Sequence, residues 1–100
     1  MIDWARPVAE VYDLIRGCDP QPGAFVLRGG EPVRCHDARR ADAASATPGT
    51  ITAIGPDGVT VAAAGEAIRV GRLRVGSKKR PAADAASELG LRVGDRLGDA

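Results

Sequence analysis

Apolar and polar positions along this chain fall into three successive regimes. Val8, Val11, Tyr12 and Ile15 recur at three- and four-residue spacing, which lines one face of a helix. Pro7 suits the first helical position, where its missing N–H costs no hydrogen bond. Glu10 and Asp13 face away, and Gly17 is the expected left-handed stop. Trp4, just ahead, is placed to fold back on Val8 or Val11. Cys18-Asp19-Pro20-Gln21-Pro22-Gly23 holds two prolines and a glycine, which excludes both helix and central strand and predicts a rigid turn.

From Ala24 the period changes to two. Ala24–Arg28 and Pro32–Ala38 flank Gly29-Gly30, a two-residue hairpin signal. In the return strand Val33, Cys35 and Asp37 share one face, and Arg34, His36 and Ala38 the other. The small, polar stretch Arg40–Thr47 predicts a surface loop. Thr50–Ile54 and Val59–Ala62 flank the turn Gly55-Pro56-Asp57-Gly58, and Ala67 begins a further strand. There the alternation runs Ile68, Val70, then Leu73, Val75, slipping by one residue at Gly71-Arg72. That slip predicts a β-bulge and a bent strand. After Gly76–Pro81 the alanines Ala82, Ala83, Ala85 and Ala86 predict a short helix ended by Gly90, and Gly94-Asp95 a last turn.

The expectation is a mainly β fold with flanking helices, a small open OB-like antiparallel barrel of five to six strands. One domain covers residues 1–100: an N-terminal helix and Pro-rich turn (1–23), barrel strands (24–76), and a short helix and tail (77–100). Composition narrows this further. Trp4, Tyr12 and Phe25 are the only aromatics, so a core of Val, Ala, Leu and Ile leaves little room for a cofactor pocket. A formal charge of +1 gives no global attraction for nucleic acid or membrane. No apolar run approaches a membrane span and the N-terminus lacks a signal layout, so the expected location is the cytoplasm. Cys18 and Cys35 then read as free thiols.

No catalytic constellation is visible, and no metal site. His36 is the single histidine, and Cys35 beside it points to the opposite face of a strand. The one concentration of charge is Arg69, Arg72, Arg74, Lys78, Lys79 and Arg80, with no acid between them. Such a stretch either neutralises phosphates or forms a solvated basic strand and loop. It contains no aromatic, so it offers no base stacking of its own.

An ordered set of short motifs spans nearly the whole chain. It comprises Ile2-Asp3-Trp4, Arg6-Pro7, Ile15-Arg16-Gly17 and Asp19-Pro20-Gln21-Pro22-Gly23-Ala24. Then follow Pro48-Gly49-Thr50-Ile51, Lys78-Lys79-Arg80-Pro81, and Gly90 with Val93-Gly94-Asp95-Arg96-Leu97. The set resembles the C-terminal domain of the formyltransferase family. That resemblance implies an OB-like barrel that carries no cofactor itself. It also implies a separate N-terminal catalytic domain that binds 10-formyltetrahydrofolate and supplies the catalytic residues, so that His36 is not one of them. In members acting on tRNA the barrel contributes basic residues to tRNA binding, and an aromatic commonly stands where this chain has Gln21. Gln21 makes the chain look closer to the dehydrogenase-type branch or to an otherwise unassigned one. The expected function is a non-catalytic accessory domain assisting substrate binding or domain packing. The alternative is a stand-alone tRNA- or nucleic-acid-binding module using residues 69–80.

Overall fold

A computed structural model describes residues 1–19, 23–42 and 46–98. The first helix, α1, runs Val8–Cys18. Its buried residues are Val8, Val11 and Ile15, as the spacing predicts. Pro7 stands one position earlier than expected, at the boundary residue, where its carbonyl accepts the Glu10 and Val11 N–H groups at 3.0 and 3.2 Å. Glu10 in the first turn and Arg16 in the last complement the helix dipole. Gly17 is not the stop. The helix continues to Cys18 and leaves through Asp19 in an extended conformation, whose carboxylate is held by β-sheet groups described below. The Pro20–Pro22 part of the expected turn lies outside the described residues.

Six antiparallel strands follow: β1 (Ala24–Arg28), β2 (Glu31–Ala41), β3 (Ile51–Gly55), β4 (Gly58–Ala62), β5 (Ala67–Val75) and β6 (Lys78–Pro81). Gly29 and Gly30 join β1 to β2 with φ of 59° and 83°, the positive values that a two-residue hairpin turn matched to strand twist requires. The sheet order is β1-β2-β5-β4-β3, with β6 also on β5. β5 is therefore shared: Ala67–Val70 pairs with β4, and Arg72–Val75 pairs with β6 on the same edge. β2 runs along the other edge of both halves. The result is an open, unclosed, barrel-like sheet. The strands extend to Pro81 rather than ending at residue 76, and β2 extends through Arg40 and Ala41, which the sequence placed in a loop. Residues 43–45 of that loop lie outside the described set.

The slip at Gly71-Arg72 is real, but its cause is not a bulge. Ala38 pairs with Val70 and His36 with Arg72, so the β2–β5 register is unchanged across Gly71. Both strands bend together instead. Asp37, opposite Gly71, takes φ 57°, the only positive φ at a non-glycine residue among those described. A Cβ on Gly71 would lie 3.0 Å from the Asp37 Cβ, so the missing side chain makes room for the bend. The bend also moves Asp37 to the surface and buries Ala38, reversing the faces that simple alternation assigned to them. The register shift that does occur lies in β3, between Ile51 and Ala53.

The second helix, α2 (Ala82–Leu89), ends at Gly90, whose φ is 72° and whose N–H reaches the Ala86 and Ser87 carbonyls. One core unites Val8, Val11 and Ile15 with Val26, Val33, Cys35, Val59, Val61, Ile68, Val70 and Leu73 of the sheet and Ala82, Ala85 and Ala86 of α2. Trp4 joins that cluster, and its indole N–H donates to the Leu97 carbonyl at 3.0 Å, 93 residues away. Among the described residues, no helix is long and apolar enough to cross a membrane.

Candidate nucleic-acid interface

Residues directly opposite in paired strands share a face. β5 turns Ile68, Val70 and Leu73 inward, so Arg69, Arg72 and Arg74 stand on the outer surface. Arg69 lies opposite Arg39 of β2, and Arg74 lies between Arg34 of β2 and Lys79 of β6. Six cations thus share the outer face: Arg34, Arg39, Arg69, Arg72, Arg74 and Lys79. Like charges in directly opposed positions destabilise a sheet. The Asp37 carboxylate relieves them locally, pairing with Arg72 at 3.1 Å.

The stretch read from the sequence is therefore divided. Arg69, Arg72, Arg74 and Lys79 come together. Lys78 and Arg80 do not join them, since they pair with Val75 and Leu73 and so face the other side, towards α2. There they line a cleft with Val75, Ala85, Glu88 and Leu89, and Arg80 is ion-paired to Glu88. Arg34 and Arg39 were missed because their place depends on partners, Arg74 and Arg69, that lie 40 and 30 residues away along the chain. Phe25 reaches this face only through Arg34, its partner across the β1–β2 hairpin. It lies opposite Arg34, and the Arg34 guanidinium sits 5.3 Å from the centroid of its ring. The basic face does carry an aromatic, supplied by β1.

A polar clamp fastens the end of α1 to β2. The His36 side chain is fully buried, and its Nδ1–H donates to Asp19 Oδ1 at 2.8 Å. Asp19 Oδ2 accepts the Asp37 N–H at 2.9 Å, which anchors the residue with positive φ. Burial pushes the Asp19 carboxyl up, but the Asp37 N–H, His36 and the charge of Lys79 together hold it below its ordinary 3.8. Gly23 closes over the ring: with φ 88°, it would bring a Cβ to 2.9 Å from His36 Cε1. The Gly23 carbonyl accepts Arg34 Nη1 at 2.9 Å. His36 and Cys35 point to opposite faces as expected. Cys35 lies opposite Leu73 in the core, where burial pushes its thiol up to about 12. Cys18 and Cys35 are both free. Among the described residues no group of His, Cys, Asp and Glu is arranged to hold a metal ion.

Residues 1–88 match the family model described as formyl transferase, C-terminal domain. The chain belongs to this family. It is 41% identical to methionyl-tRNA formyltransferase of Chromobacterium violaceum, an alignment over 97% of this chain and 32% of that enzyme. It is 40% identical to the Variovorax paradoxus methionyl-tRNA formyltransferase, over 97% of the chain and 31% of the enzyme. It spans about a third of the length of the curated relatives it matches, so those full-length formyltransferases hold a further region that this chain does not match. Among solved structures, HypX from Aquifex aeolicus in complex with tetrahydrofolic acid superposes with a TM-score of 0.74 at 23% identity. It covers 90% of this chain and 17% of HypX, and shows a shared fold. The matches favour a formyltransferase C-terminal domain over a stand-alone nucleic-acid module. The two sequence relatives are both methionyl-tRNA formyltransferases, and Gln21, which suggested the dehydrogenase-type or an unassigned branch, lies outside the described residues.

Proposed function

We propose that this chain is the non-catalytic C-terminal accessory domain of a cytoplasmic formyltransferase. Its N-terminal catalytic partner domain binds 10-formyltetrahydrofolate and performs the transfer. The domain packs against that partner and offers its outer basic face to an anionic acceptor, with tRNA the best fit. The observation that carries this reading is the match to a C-terminal domain over residues 1–88, in relatives about three times as long as the aligned part. The cross-strand cations add to it: Arg39 with Arg69, and Arg34 with Arg74 and Lys79, form a surface that phosphates would neutralise.

The test joins this chain to the catalytic domain of a relative stripped of its own C-terminal domain. Formylation of initiator tRNA should rise well above that of the stripped enzyme, through a lower KM. The 100-residue chain alone should turn over no 10-formyltetrahydrofolate. Turnover by the chain alone, or no gain on joining, would overturn the reading.

A further inference from the structure

Resting on that reading of the outer face, we infer that the Phe25–Arg34 stack is a seat for an unpaired nucleobase. The partner is then a nucleic acid with a single-stranded nucleotide beside its paired region. Phe25, Arg34, Arg74 and Lys79 occupy directly opposed positions on four successive strands, β1, β2, β5 and β6. At the usual spacing between strands this row is about 14 Å long. One end is flat and carries π-electrons. The Phe25 ring is part-exposed, and the Arg34 guanidinium stands over it at 5.3 Å while its Nη1 is pinned to the Gly23 carbonyl at 2.9 Å. Aromatic rings and guanidinium planes are the two side-chain surfaces on which splayed-out bases stack. Here the plane is already held in position before any ligand arrives.

The other end of the row is cationic. Arg74 and Lys79 lie one and two strand spacings beyond Arg34, within reach of the phosphates flanking a stacked base. A fully paired duplex buries its base faces and would meet only the cations. An unpaired nucleotide would use both ends of the row.

Fluorescence anisotropy with two labelled RNA hairpins tests this, one blunt and one carrying a short 3′ overhang. The wild-type chain should bind the overhang probe about ten-fold more tightly. Phe25→Leu and Arg34→Lys should each remove most of that preference, and both should leave the slope of log K against log salt unchanged. Lys79→Ala should instead lower the slope by about one for both probes. Arg34→Lys keeps the charge and the reach to Gly23 but loses the plane, and a thermal melt of each variant confirms its fold. Equal binding of the two probes by wild type, or a preference that survives both substitutions, overturns the inference. The joined-domain assay reads a separate quantity. A gain in formylation without an overhang preference rejects the base seat alone. A preference without that gain rejects the accessory role alone.

Discussion

The two faces of the β2–β5 pair are built on opposite principles. On the inner face Cys35 meets Leu73, and Ala38 meets Val70, which in turn meets Val59; all are buried apolar groups. Each contact there removes apolar surface from water and stabilises the fold. On the outer face of the same strands Arg39 meets Arg69, and Arg34 meets Arg74. Those contacts oppose folding by a few tenths of a kcal/mol to about 1 kcal/mol each. On the function proposed above, an anionic partner would relieve these pairs. The inner face carries stability; the outer face lowers it slightly and, on the proposed function, is where recognition would take place.

Substitutions can break or sharpen that contrast. The largest effect is expected inside: Leu73→Ala leaves a cavity beside Cys35 and should cost about 3 kcal/mol, read as a lower urea midpoint at unchanged slope. Gly23→Ala comes next, at about 2 kcal/mol, because its φ of 88° and the His36 ring 2.9 Å from the new Cβ both resist it. A smaller loss, about 1.5 kcal/mol, is expected for Asp19→Asn, which weakens the charged bonds to His36 and the Asp37 N–H.

The Asp19 substitution also changes the acid limb of the stability curve. The folded-state pKa of Asp19 lies below its ordinary 3.8. Its contribution is therefore fully present above the unfolded value, near pH 4, and is lost as pH falls through the folded value. Wild type should lose stability more steeply than Asp19→Asn below about pH 4 in a urea titration series. The smallest effect is expected outside. Arg39→Thr should leave stability unchanged or raise it by up to about 0.5 kcal/mol, while weakening RNA binding in a salt-dependent way. A large loss of stability from Arg39→Thr would erase the contrast between the faces.

Local signals in the sequence reached far into the fold. The spacing of Val8, Val11 and Ile15 placed α1, Gly29-Gly30 placed the first hairpin, and Gly90 placed the end of α2. β6 escaped because Lys78-Lys79-Arg80-Pro81 is short, charged and ends in proline, which is how edge strands discourage pairing with other chains. The bend at Asp37 escaped because it lies in a pairing. Gly71 signalled it, but the residue that turns is on the neighbouring strand. The candidate site was half legible for the same reason. A run of cations shows in one strand, yet the period of two sends Lys78 and Arg80 to the far side. The members that complete the face, Arg34, Arg39 and Phe25, arrive from β2 and β1.

The indole of Trp4 has a further consequence, one of timing. Its hydrogen bond closes on a carbonyl 93 residues later, and β2 waits for β5 across some 30 residues. During synthesis α1 and the first hairpin emerge with their apolar faces uncovered. The ring of Trp4 finds its acceptor only once Leu97 has left the ribosome. Folding dominated by such distant closures is slow, and the nascent chain remains open to chaperones or to an already folded neighbouring domain until its last turn is made.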